Sequence, residues 1–207
     1  VPLPTMVGFG FVKEAILWGR PLTQTNTMYD LRKCSSAKPS LLPHLASLSN
    51  FSSMTNQYFA YGSNMNRDQM TRRCPGSEYG SLAVLRGWAY FINGNGYAGI
   101  EERPGYETHG CIWTLRESDW FALDQYEAVS EGFYERILLE VEVGADRFKH
   151  EVWVYLSIDR TYGRPSANYQ RIVEEGGREI GLPSEHLRIL ESWAEGPPCS
   201  RDENLSG

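Results

Sequence analysis

Cysteine is scarce and scattered in this chain. Its 207 residues hold four, Cys34, Cys74, Cys111 and Cys199. None forms a CxxC pair and no histidine stands at ligand spacing from one, which argues against a zinc site. With few cysteines and no recognisable secretory leader, a cytoplasmic protein is expected. Histidine is equally sparse. His44, His109, His150 and His186 are dispersed, form no HExxH, and are each expected to be solvated or satisfied. No apolar run approaches the roughly 20 residues a membrane-spanning helix needs, so no membrane association is expected. There is no excess of positive charge: 20 Lys and Arg face 26 Asp and Glu, a net charge of -6. Nucleic-acid binding wants a basic face, and none is expected here.

Charge divides unevenly along the chain. Residues 1–53 carry five Lys or Arg against two Asp or Glu, a net +3, which leaves -9 for the remainder. The first residue is Val1, not Met, and residues 1–53 have no clear periodicity. They are rich in Ser, Pro, Leu and Thr. Residues 1–53 are therefore expected to be a poorly ordered or extraneous extension. A transit peptide would be rich in arginine, and Arg20 and Arg32 are too few for one. Met54 is expected near the natural start of a domain spanning 54–195, followed by a flexible tail over 196–207.

From Tyr58 onward the patterning is mixed. Strand-like runs occupy 58–61, 84–92, 97–101, 109–115, 133–143 and 150–157, several with period-two alternation such as Ile137-Leu138-Leu139-Glu140-Val141-Glu142-Val143. Helix-like runs occupy 66–73, 119–129, 167–179 and 185–193, with Ser118, Ser166 and Ser184 as N-cap candidates. Strands outnumber singly inserted helices, which predicts an α+β domain built on one curved sheet.

Residues 58–65 read YFAYGSNM, the most informative octet in the chain. A short apolar run breaks at Gly62, then Ser63 and Asn64 precede a polar stretch of helical composition. The pattern is strand, tight turn, helix start. Glycine allows a backbone angle other residues resist, Ser63 or Asn64 can cap the helix, and a helix start is a ready anion site. A small carboxylate-bearing substrate would suit it. If 119–129 is a helix, Trp120, Leu123 and Glu127 share one face. A carboxylate on that apolar stripe is partly desolvated, an environment suited to general acid–base work. Spacing alone favours a surface glutamate at a helix end. Asp124 and Glu131 are the neighbouring carboxylates, and both are expected to be solvated.

Two other motifs lack their context. Gly94-Asn95-Gly96-Tyr97-Ala98-Gly99 matches GxGxxG, but no helix pattern follows, so it reads as a hairpin or loop that could border a substrate cleft. Ser63 is not in a GxSxG elbow, which weakens a serine-hydrolase reading.

The octet resembles the signature of the gamma-glutamylcyclotransferase family. So do further segments in the family's order: Gly110-Cys111-Ile112-Trp113-Thr114-Leu115, Leu123-Asp124-Gln125-Tyr126-Glu127-Ala128-Val129, Tyr155-Leu156, Pro165-Ser166-Ala167-Asn168-Tyr169 and Gly181-Leu182-Pro183. The resemblance spans roughly 58–193, with Ala128 standing where the family commonly has glycine. It implies a small mixed β-barrel surrounded by a few helices and conversion of γ-glutamyl-amino acids to 5-oxoproline. Glu127 would be the catalytic acid–base. Tyr61, Gly62, Ser63 and Asn64 would form the substrate cradle, with Tyr134 and Tyr169 as hydrogen-bonding partners of the glutamyl group. It requires no metal and no cofactor, and allows a homodimer. Alternatives are a cyclotransferase for γ-glutamyl-amines or glutathione, or a non-catalytic small-molecule-binding relative.

Overall fold

A computed structural model describes residues 55–198. The expectations for residues 1–53, and most of that for 196–207, lie outside the described residues. Five strands close into a barrel in the order β1-β3-β2-β4-β5. They are β1 (Gln57–Ala60), β2 (Glu78–Ile92), β3 (Ala98–Thr114), β4 (Tyr134–Val143) and β5 (Phe148–Ser157). Neighbours run antiparallel except β1 and β5, whose parallel pairing closes the ring. Four helices surround it: α1 (Arg67–Arg73), α2 (Glu117–Tyr126), α3 (Ala167–Ile180) and α4 (Ser184–Ser192). The α+β barrel expected from the sequence is the observed architecture. Phe59, Leu85, Ile112, Val152 and Val154 are among the apolar side chains it buries, and their removal from water is the main stabilising contribution. Among the described residues no helix is long and apolar enough to cross a membrane.

The runs at 97–101 and 109–115 prove to be the two ends of one strand, β3. Pro104 and Gly105 between them read as a break. The ladder with β2 jumps from Glu102 opposite Trp88 to Glu107 opposite Arg86. Residues 103–106 thus face the single Gly87, a bulge that spares Pro104 the need for a ladder donor. The GxGxxG segment is the β2–β3 hairpin turn. The Asn93 side-chain oxygen accepts from the amides of Asn95 (3.1 Å) and Tyr97 (3.0 Å) and shapes it.

Capping differs from expectation in three places. Asn66, not Ser63 or Asn64, caps α1, its side chain accepting from the Gln69 amide at 2.9 Å. Ser63 and Asn64 fall earlier, in a single 3-10 turn over Ser63–Met65. Arg116 precedes α2 in place of Ser118, where the Asp119 carboxylate accepts from the Arg116 amide at 3.0 Å. Pro183 precedes α4, so Ser184 is already helical. Ser166 does cap α3, accepting from the Tyr169 amide.

At its far end α3 closes on Gly181, at φ 80°, and the Leu182 amide reaches back to the Gly177 carbonyl at 3.0 Å. This is the left-handed helix ending for which glycine is suited, and Pro183 then starts α4 without a lost donor. Earlier in α3, a Cβ on Gly176 would lie 2.7 Å from the Asn66 amide nitrogen. Glycine there lets α3 press directly against the turn that carries the signature octet.

Candidate active site

The turn after β1 and the end of α2 meet at one buried polar cluster. Glu127 is 8% exposed and follows the last residue of α2. The helix stops three residues short of the expected 129 because Ala128 turns into the left-handed region at φ 49°. Alanine pays a steric cost there that glycine would not, which gives physical content to the family's glycine at this position. Trp120, Leu123 and Glu127 still share the inward face: Leu123 is fully buried and Trp120 half-buried.

Asn64 is the hub. Its amide nitrogen donates to Glu127 Oε1 at 3.2 Å and to the Tyr58 hydroxyl at 2.9 Å. Its side-chain oxygen accepts from Arg73 Nη1 at 2.7 Å and from Gln69 Nε2 at 3.4 Å. The donors and acceptors around it fix the amide orientation. Trp113 Nε1 donates to the Asn64 backbone carbonyl at 3.0 Å, tying the turn to β3. Arg73 Nη1 also stands 4.0 Å from Glu127 Oε1, and its guanidinium lies over the Tyr126 ring. The buried carboxylate therefore has both a neutral donor and a cation beside it, as buried charge requires.

Glycine at position 62 is explained by space. Its φ is -119°, on the ordinary negative side. A Cβ there would come within 2.8 Å of the Ala98 Cβ and 3.3 Å of the Tyr169 hydroxyl. The expectation of an unusual backbone angle is thus replaced by close approach to β3. Ala98 gathers two of the predicted tyrosines. The Tyr134 hydroxyl donates to its carbonyl at 2.6 Å, and its amide donates to the Tyr169 hydroxyl at 3.0 Å. Ser63 follows Gly62 in this turn and lies close enough to Tyr169 to favour its ionised form. Tyr61 is within electrostatic reach of Tyr169 and Tyr134, but its hydroxyl donates to the Tyr155 backbone carbonyl at 2.6 Å.

Burial pushes the Tyr58, Tyr61 and Tyr134 hydroxyls well above the usual phenol range, with Glu127 adding to each. Tyr169 is pushed up to about 12, by burial first and by Glu127 second among the raising effects, against lowering by the Ala98 amide and Ser63. All four are neutral hydroxyls near pH 7. All seven residues predicted for the site, Tyr61, Gly62, Ser63, Asn64, Glu127, Tyr134 and Tyr169, converge here. Among the described residues no group of three or more His, Cys, Asp or Glu side chains is placed to hold a metal ion.

Sequence reasoning missed Tyr58, Gln69 and Arg73. The first falls in the short apolar run and the others in the polar stretch of helical composition. Only the fold reveals that α1 turns one face back onto Asn64. Asp124, expected to be solvated, accepts from the Tyr155 hydroxyl at 2.5 Å and pairs with Arg136 at 3.3 Å. Glu131 is exposed, as expected.

A model of the AIG2-like family matches residues 107–190. A protein named gamma-glutamylcyclotransferase from Homo sapiens is 30% identical over 146 residues, covering 65% of this chain and 77% of its own length. The chain belongs to the gamma-glutamylcyclotransferase family. Its Bos taurus namesake is 30% identical over 151 residues with the same coverage. A solved structure named gamma-glutamyl cyclotransferase superposes with a TM-score of 0.63 at 27% identity, covering 72% of this chain and 92% of that one.

Proposed function

We propose that this protein is a gamma-glutamylcyclotransferase that converts γ-glutamyl-amino acids to 5-oxoproline and a free amino acid, with Glu127 as the acid–base. The observation that carries the reading is the buried Glu127 carboxylate held by Asn64 of the signature turn.

The substrate's α-ammonium loses a proton to Glu127. The freed amine attacks the γ-carbonyl carbon, forming the five-membered ring and a tetrahedral oxyanion. The original C–N amide bond then breaks as Glu127 returns its proton to the departing amine, and the surplus proton left on the ring nitrogen passes through Glu127 to the released amine, which departs as an ammonium. The nucleophile belongs to the substrate, so no covalent enzyme intermediate is needed. The protein's work is to hold the glutamyl chain curled and to aim donors at the developing charge. Within the 3-10 turn the first bonded amides are those of Met65 and Asn66. The Ser63 and Asn64 amides precede them and supply the cradle. Ser63 and Tyr169 add hydroxyl groups beside it. Tyr61 and Tyr134, whose protons go to backbone carbonyls, serve as walls that keep the turn and Ala98 in place. Asn64 orients Glu127, and Arg73 offsets its charge during proton transfer.

A cytoplasmic setting, with a place in glutathione metabolism, completes the reading. The buried free thiols Cys74 and Cys111 suit a reducing compartment. The test is 5-oxoproline release by the purified full chain from γ-glutamyl-alanine, γ-glutamyl-amines and glutathione in parallel. Turnover of γ-glutamyl-alanine is expected. Exclusive turnover of another member would move the assignment to that leaving group, and silence with all three would favour a binding role.

A further inference from the structure

One hydroxyl beside the site has no partner. Tyr90 on β2 lies opposite Ile100 of β3, and Ile92 lies opposite Ala98. Directly opposed residues share a face and side chains alternate along each strand, so Tyr90, Ile92, Ala98 and Ile100 project together. This is the face on which Ala98 meets Gly62. The Tyr90 side chain is thus delivered toward the tyrosine cluster, within electrostatic reach of Tyr169, Tyr61 and Tyr134. It is 5% exposed, and its hydroxyl makes no hydrogen bond. Leaving a buried hydroxyl unsatisfied is destabilising, and a ligand oxygen would relieve it. Tyr61 and Tyr134 give their protons to backbone carbonyls, whereas Tyr90 keeps a donor to offer. The charged side chain that acts on Tyr90 is the Glu174 carboxylate, whereas Arg160, whose Nη1 donates at 2.6 Å to the carbonyl of Ile100 opposite Tyr90, acts on Tyr61.

We propose that Tyr90 anchors the α-carboxylate of the γ-glutamyl substrate, donating its hydroxyl proton to one carboxylate oxygen. The proposal rests on the cyclotransferase reading. Tyr90 stands two residues along β2 from Ile92, the partner of Ala98, on which the bonds of Tyr134 and Tyr169 gather. The leaving group varies between substrates and needs a route to solvent. The α-carboxylate is common to all of them and can be enclosed. Ring closure leaves it intact, so 5-oxoproline carries the same group.

The test compares Tyr90→Phe with the wild-type full chain, using 5-oxoproline and its carboxamide in calorimetric binding and γ-glutamyl-alanine in turnover. Removal of the hydroxyl should weaken 5-oxoproline binding about tenfold, leave carboxamide binding unchanged, and raise KM about tenfold with kcat within about twofold. Equal weakening of acid and amide, or no change in either by a variant of wild-type circular dichroism, overturns the anchor. Tyr90→Leu should repeat the loss of discrimination if Tyr90→Phe folds poorly. A wild type that binds 5-oxoproline but releases none from any γ-glutamyl compound sinks the activity reading, while the acid–amide pair still decides on Tyr90. A wild type that binds neither compound overturns the anchor.

Discussion

Two buried polar clusters flank this barrel, and they are built on opposite terms. Beside α1 and α2, Asn64 is bonded to Tyr58, Glu127, Gln69 and Arg73. Beneath α4, His186 is 2% exposed and neither ring nitrogen has a partner. Its ring packs 5.0 Å from that of His109 and 6.4 Å from that of Tyr90. His186 was expected to be solvated or satisfied and is neither. The first cluster fixes a geometry, since each hydrogen bond restrains the next. The second is held by packing alone and carries the cost of unpaired polar atoms. A side chain can be buried by the fold without being served by it, and the better-served cluster is the one that needs an exact carboxylate position.

Breaking the first cluster should cost most. Asn64→Ala strips partners from Glu127, Tyr58 and Arg73 at once and should lower stability by about 3 kcal/mol. Urea unfolding would read this, and 5-oxoproline release should fall by at least about tenfold. A loss below about 0.5 kcal/mol would mean that the network is not the restraint described.

The second cluster should reveal itself through pH. Burial, with a smaller push from His109, lowers the His186 pKa to about 3, against an opposing pull from Glu107. The folded-state value lies below the ordinary 6.5, so the unfolded chain takes up the proton more readily. Stability should therefore be lost as pH falls from about 6.5 toward 3, by about 2 kcal/mol from this group at pH 5. Thermal melts between pH 7 and pH 5 should show a smaller decline for His186→Leu than for wild type. Parallel declines would remove His186 from the account. The smallest effect belongs to Ala128→Gly, which relieves the left-handed strain beside Glu127 and should stabilise by about 0.5 kcal/mol.

Much of this was legible in local patterns. The strand–turn–helix around Gly62, the hairpin at 94–99, the alternation in β4 and the Gly181-Leu182-Pro183 turn each depend on residues close in sequence. The convergence of Glu127 with Asn64 came through family resemblance, because no periodicity links positions 63 residues apart. What stayed hidden depends on approach between distant elements. Gly62 is small because Ala98 is there, Pro104 is tolerated because the β2–β3 ladder bulges, and Arg73 matters because α1 folds back over the turn. Tyr90 carried no signal among twelve tyrosines, since only the register with β3 reveals which way it faces.

The central claim is that Glu127 moves the proton. Its most direct test is 5-oxoproline release by full-chain Glu127→Gln, which keeps the shape and removes the base. A fall in kcat of about 10²–10⁴-fold with the melting temperature retained is expected. Turnover near the wild-type rate would contradict it.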